Sequence, residues 1–358
     1  MAEYRVVRAD LEGDKNDILS VWERSYGYAL RAETLPWFYK NCPHGPGRIW
    51  LLVADPGKCI VGTSGVGLRR VKVGGTAVLA GLGAGFAVVK EHQFLLPALF
   101  LAKAGLRALR EELAFVYACP TNPAIGVLQL AGFKPAGTMK RYVKVLRVEP
   151  YLNKLPVLSK GTRILGPVLN LWLSMTSGRW QWRWRRHVFR QVCDIDGRFD
   201  ALWERAAHRY SMILERKAQY LRWRFTEYPH AKRCLDRVLV VALMTRDEQH
   251  LVGYAAYYMV GDRAILIDLF AEDMNEALAG VLGGLTRWLR RRGASCAEVE
   301  CFGPTELVQS LRQAGFVYRK SKSPERVVVT SSIVGGGDGK QTSESLDWYF
   351  MTADTSSN

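Results

Sequence analysis

The apolar and polar positions of this chain fall into alternating helical and extended stretches, and the succession occurs twice. An opening helix is predicted over Ile18–Ala29 and again over Arg198–His208. The runs Ile49–Ala54 and Val238–Met244, rich in β-branched and apolar residues, predict strands. A second strand opens at the pair Val61-Gly62 or Val252-Gly253, and a third follows at Leu79–Val89 or Ala264–Phe270. Apolar residues at helical spacing over Pro97–Glu112 and Asn275–Arg292 predict the next helices. Strands are then expected at Phe115–Ala118 and Ala297–Phe302. A short helix closes at Ala131-Gly132-Phe133 or Ala314-Gly315-Phe316, where glycine suits a helix end and phenylalanine begins another strand.

The repetition extends to individual residues. Leu35, Trp37, Pro43 and His44 match Leu221, Trp223, Pro229 and His230 without a gap, at an offset of 186. The Val-Gly and Ala-Gly-Phe matches follow in the same order. A duplicated domain is therefore expected, with boundaries at 1–148 and 191–358 and a linker over 149–190. That linker contains ILGPVLNLWLSM (164–175) and then Arg179-Trp-Gln-Trp-Arg-Trp-Arg-Arg186. Tryptophan interleaved with arginine suits a segment packed on both domains, an anionic membrane surface touched through 164–186, or a nucleic-acid backbone. A glycine-rich loop over 334–345 is expected before a last strand, Leu346–Thr352.

Composition narrows the setting. The chain has 358 residues, 48% hydrophobic and 23% charged, which excludes disorder throughout and allows two cores. Its net charge of +16 attracts phosphate, whether on a nucleotide cofactor, a lipid or nucleic acid. Seven cysteines without a Cys-x-x-Cys pair favour reduced thiols over a disulfide framework or zinc ribbon. The N-terminus is charged from the start and no apolar run reaches about 18 residues, so the expectation is a cytoplasmic protein, soluble or peripheral at the inner membrane face. No Ser-His-Asp order, metal-spaced His/Cys cluster or Walker-type Gly-Lys-Ser occurs, and no metal is expected.

Two runs carry a resemblance to a known family. Thr121-Asn122-Pro-Ala124-Ile125, ending in Ala131-Gly132-Phe133-Lys134, looks like the late motif of the GCN5-related N-acyltransferases. Ala84-Gly-Phe-Ala-Val-Val89-Lys90-Glu91-His92-Gln93 looks like the strand that leads into that family's pyrophosphate loop. The resemblance implies an α/β fold of two tandem domains, each a mixed, mostly antiparallel sheet flanked by helices. It also implies acetyl-CoA or another acyl-CoA as substrate. In such a fold two strands splay apart to hold the pantetheine arm, and a glycine-rich turn presents helix N–H groups to the pyrophosphate. Carried over, these roles fall on Phe86, Ala87 and Val88 of the strand, on Gln93, Phe94, Leu95, Leu96, Pro97 and Ala98 of the turn, and on Asn122. The turn departs from the pattern, because Leu96 stands where the first glycine belongs. In the second copy Glu272 and Asp273 stand at the turn, where they repel a phosphate, so the first copy is the better cofactor site. Leu128 and Leu311 stand where the family often has a tyrosine.

An amine attacking a thioester needs a group to take its proton. Asp268, inside an apolar strand, reads equally as a carboxylate of perturbed pKa or a buried partner for an arginine. Glu298 and Glu300 alternate along the next strand and share a face; Glu300 is a candidate base, and a solvated face is the plainer reading. Glu91 and His92 flank the phosphate turn, and Glu91 is the third candidate. His44 and His230 read as turn residues, Trp37 and Trp223 as core or cleft-wall aromatics. The expected activity is acyl transfer to an amine of a sugar, small metabolite or envelope precursor. An aminoacyl-tRNA-dependent transferase of the same fold and a non-catalytic scaffold are the rival readings.

Overall fold

The computed structural model describes residues 3–29, 31–148, 187–229, 238–320, 324–331 and 347–356. The Trp/Arg-rich stretch 164–186, His230 and the glycine-rich run 334–345 lie outside the described residues.

The first half runs β1 (Glu3–Arg8), α1 (Lys15–Tyr26), α2 (Thr34–Tyr39), β2 (Arg48–Asp55), β3 (Cys59–Val73), β4 (Thr76–Val88), α3 (Leu95–Leu109), β5 (Val116–Ala118), α4 (Asn122–Leu130), β6 (Lys134–Thr138) and β7 (Lys140–Val145). The second half follows the same succession with one short strand added. It comprises β8 (His187–Val192), α5 (Gly197–Ala206), β9 (Met212–Leu214), α6 (Ala218–Phe225), β10 (Leu239–Thr245), β11 (Leu251–Val260), β12 (Arg263–Ala271), α7 (Glu276–Arg291), β13 (Cys296–Phe302), α8 (Thr305–Gln313), β14 (Val317–Tyr318) and β15 (Val327–Thr330). A last strand, β16 (Trp348–Met351), closes the chain. The described residues form a large mixed sheet of sixteen strands with helices against it.

Local sequence accounts for these elements. β2 buries six consecutive residues, Ile49 to Ala54, so both of its faces are covered, and α3 packs against it. In α7 the residues Leu278, Val281, Leu282, Leu285 and Leu289 recur at helical spacing and are all buried, while Arg290 and Arg291 lie in the last turn. β1 and β8 were not expected from the sequence. Their side chains are mostly half-buried, since among the described residues each is an edge strand, paired with β2 or β10 alone. His187–Arg190, expected in the linker, thus begin the second half.

The two halves exchange strands. β7 of the first half inserts between β13 and β14, antiparallel to both. β15 of the second half inserts in turn between β5 and β6. Arg141 of the exchanged β7 pairs with Glu298 of β13 at 2.6 Å, so that carboxylate ties the halves together rather than facing solvent. A second seam runs through β9, which pairs with β3 and with β16.

Between the halves the matched tryptophans meet. The Trp37 and Trp223 rings stack at 4.4 Å with planes 8° apart. Each indole N–H donates to the other residue's backbone carbonyl at 3.1 Å. The guanidinium of Arg69 stands 4.8 Å over Trp223 and that of Arg224 stands 5.7 Å over Trp37. This is core packing, with the polar indole edges satisfied.

Candidate active site

β4 and β5 are parallel and in register at Gly81–Val116, Leu82–Tyr117 and Gly83–Ala118, after which they separate. The divergence begins at a bulge. Gly85 has φ +65°, and the register against β3 shifts between Thr63 and Gly65. Only glycine adopts this conformation without strain, and a Cβ at Gly85 would stand 2.7 Å from the Trp22 ring. The bulged carbonyls are held from the α1 and α2 side. Gly85 O accepts from Trp22 Nε1 (3.3 Å) and Thr63 Oγ1 (2.7 Å), and Ala84 O accepts from the Tyr39 hydroxyl (3.1 Å).

The gap is a cavity of about 320 Å³. Gly83–Phe86 form one wall, and Ala118–Thr121 with Ala124 and Leu128 form the other. Ala102, Gly105, Leu106 and Leu109 of α3 line it as well, together with Trp22, Tyr26, Phe38 and Tyr39. The second half contributes Tyr228 and Ser356. Among the described residues, none that lines the cavity carries a charged side chain at neutral pH. Burial pushes the Tyr26 and Tyr39 phenols up, so both stay protonated donors. The Thr34 hydroxyl oxygen, also at this cavity, is buried and has no hydrogen-bond partner. Such a group is one a bound ligand can satisfy.

Of the residues assigned to the cofactor, Phe86 lines the cavity, and Ala87 and Val88 are buried as β4 continues. Gln93 is exposed, with its Nε2 donating to Val88 O at 2.7 Å. Phe94, Leu95 and Leu96 are exposed, while Pro97 and Ala98 are buried. Because α3 starts at Leu95, Pro97 is its third residue rather than its first and removes an N–H that an anion could use. Asn122 is exposed at the first position of α4, next to Thr121 of the cavity wall.

The three expected acid–base residues are not brought together. Glu91 is exposed beside Arg24 (3.3 Å), at the α3 surface and not in the cavity. Asp268 is fully buried in the second half, 3.1 Å from Arg216, and accepts from the Tyr254 hydroxyl at 2.6 Å. Burial pushes its carboxyl up to about 6 against the pull of Arg216. Arg216 also pairs with Asp354 at 2.9 Å, so Asp268 belongs to an ion cluster that anchors the chain's end. Glu300 alone stands near the cavity. It pairs with Arg326 at 2.7 Å, and both charges act on the half-buried thiol of Cys119, a cavity residue whose pKa burial raises.

The corresponding gap of the second half is closed. β12 and β13 are paired through Leu266 and Val299, and beyond that point β16 bonds to β13 at Cys301 and Phe302. The Tyr349 hydroxyl donates to Leu269 O of β12 at 2.5 Å. Asp273 Oδ1 accepts the N–H groups of Asn275 and Glu276 at 2.9 and 2.7 Å, so a carboxylate of the chain itself occupies the start of α7. Sequence reasoning missed Trp22, Tyr26, Tyr39 and Tyr228 as cavity residues. Tyr39 lay two positions beyond the repeated Trp37, but spacing does not tell which aromatics face a gap.

No protein-family model and no curated protein matches this sequence. Solved structures do. A conserved protein of Enterococcus faecalis V583, a probable N-acyltransferase, is 11% identical with a TM-score of 0.62; the match covers 92% of this chain and 73% of that one. A GCN5-related N-acetyltransferase from Kribbella flavida is 14% identical with a TM-score of 0.60, covering 92% and 71%. The GCN5-related glucosamine N-acetyltransferase region of a fungal multi-domain GH3 β-N-acetylglucosaminidase matches at 11% identity and a TM-score of 0.55, covering 92% and 38%. The chain thus has the fold of the GCN5-related N-acetyltransferases, as its two motifs led one to expect.

Proposed function

We propose that this protein is an N-acyltransferase that takes its acyl group from the thioester of a phosphopantetheine arm, as in acyl-CoA, and works through its first half. One observation carries the reading: the β4/β5 gap is an open, uncharged cavity beside a glycine bulge, whereas the equivalent gap of the second half is filled. The arm would lie along Phe86, Ala87 and Val88, with Gln93–Ala98 and Asn122 toward its outer end. The two halves are read as copies of one duplicated domain, the second serving as support.

The chemistry follows from the lining. An uncharged cavity disfavours an ammonium ion, so it selects the neutral, nucleophilic form of an amine. The unpartnered Thr34 hydroxyl supplies a donor toward the reacting carbonyl, while the protonated phenols of Tyr26 and Tyr39 hold Phe86 O and Ala84 O. Glu300 is the proposed proton acceptor, reached past Cys119, and Asp268 is assigned a structural role. The acceptor is proposed to be a small amine, of the sugar kind that the fungal neighbour's name states.

Thermal unfolding with millimolar acetyl-CoA or octanoyl-CoA tests the reading. Ligand at about 100 times its Kd adds roughly 2.7 kcal/mol and raises Tm by several degrees. Glu300→Gln should keep that shift while acyl transfer to a panel of amines, glucosamine included, falls about 100-fold. An unchanged rate would remove Glu300 from the mechanism. Absence of any thioester effect on a folded protein would favour the tRNA-dependent and scaffold readings.

A further inference from the structure

The cavity and the surface at its mouth differ in chemistry. β4 leaves the cavity at Phe86 and leads through a short turn into α3, where a nucleotide diphosphate would be expected. At that place Phe94 is 64% exposed, Leu95 52%, Leu96 77% and Phe100 46%. Four of the nine large hydrophobic residues exposed among the described residues therefore fall within seven positions. An apolar cluster of this kind marks a contact surface. It offers little to a polyanion: the Gln93 amide already donates one hydrogen to Val88 O, and Pro97 has no N–H to give.

Charge sets the sign of the partner. Leu96, Phe100, Lys103 and Arg107 follow one another at spacings of four, three and four, so they form one stripe along α3, apolar at its start and cationic beyond. All four are exposed, as is Lys90 before the helix, and the nearby acid Glu91 is already paired with Arg24. The stripe suits a partner that presents apolar side chains among carboxylates.

We propose, on the basis of the N-acyltransferase reading above, that the donor is a small acidic carrier protein bearing its acyl group on a 4′-phosphopantetheine arm. It docks on Phe94, Leu95, Leu96 and Phe100, with Lys103 and Arg107 facing its carboxylates, and the arm enters the β4/β5 cavity. The acceptor amine attacks the thioester carbon. A C–N bond forms, the C–S bond breaks, the amine loses one proton to the base, and the thiolate takes up one proton to leave as the carrier's free thiol.

Titration calorimetry of the full chain distinguishes the outcomes, using octanoyl-loaded acyl carrier protein, its apo form and octanoyl-CoA. The loaded carrier is expected to bind at least about tenfold more tightly than octanoyl-CoA. Its affinity should fall between about 0.1 and 0.5 M salt. Phe100→Asp and Lys103→Glu should each weaken carrier binding about tenfold or more, with octanoyl-CoA binding and Tm unchanged. Equal or tighter binding of octanoyl-CoA, with Phe100→Asp silent, overturns the carrier and leaves the N-acyltransferase reading intact. No binding of either thioester overturns both. Phosphatidylglycerol vesicles that bind in place of the carrier, in a Phe100-dependent way, would instead make the patch a membrane contact and overturn the proposal.

Discussion

His44 shows how one side chain can be read from its surroundings. It follows Pro43 in the repeated segment, and the structure places it at the seam between the halves. Its ring stacks on Tyr220 at 4.9 Å, Nδ1 accepts from the Arg70 N–H at 3.0 Å, and Nε2 lies 3.0 Å from Glu215 Oε1. Nδ1 therefore acts as an acceptor and Nε2 carries the proton of a neutral ring. Burial outweighs Glu215 and lowers the His44 pKa. Below the unfolded value of about 6.5 the unfolded chain takes up a proton that the folded chain resists, so this contribution is present above that pH and is lost as the pH falls through it. The loss amounts to about 1.4 kcal/mol for every tenfold change in proton affinity. Wild type should therefore lose more stability than His44→Gln between about pH 7.5 and 5 in urea titrations. A difference between the two that stays flat over this range would show that the folded ring titrates like the unfolded one. Glu215, whose pKa is lowered, acts at more acidic pH and does not blur the comparison.

At the level of elements, the bulge in β4 decides whether there is a site. Without it the strand would continue in register, and nothing would turn the carbonyls of Ala84 and Gly85 toward Tyr39, Trp22 and Thr63. Gly85→Ala imposes a left-handed alanine, costing about 1–2 kcal/mol, and pushes a methyl into the Trp22 ring. We expect a loss of about 2 kcal/mol or more in chemical denaturation, together with loss of the acyl-CoA thermal shift. Gly126→Ala is the matched control, because that glycine lies in α4 with nothing within 4 Å of a new Cβ. It should be neutral or stabilising by up to about 1 kcal/mol. Similar damage from both substitutions would discard the special role given to Gly85.

For the whole molecule, the strand exchange makes folding a joint property of the halves. Residues 1–148 alone lack β15, so β5 and β6 lose the strand between them and expose unpaired edges. The second half alone lacks β7 in the same way. Expressed separately, 1–148 should aggregate or unfold without cooperativity, and co-expression with 187–358 should recover a soluble complex. A monomeric 1–148 with a sharp unfolding transition would show that the exchange contributes little. Among the described residues, no helix is long and apolar enough to cross a membrane.

The sequence by itself determined the kind and order of most elements, because the apolar spacing of a helix or strand is a local property of the chain. The repeated Leu35–His44 pattern and the two motifs were legible too, and with them the fold. The structure alone decided which strand lies beside which. β7 buries Tyr142 and Lys144 and β15 buries Val328, Val329 and Thr330, and nothing in either set of side chains specifies which strand lies beside it, so their composition cannot reveal the exchange. It also decided that Asp268 meets Arg216 and Asp354, and that Trp22, Tyr26, Tyr39 and Tyr228 converge on one cavity. These contacts join residues far apart in the chain, and only the packed tertiary structure brings them together.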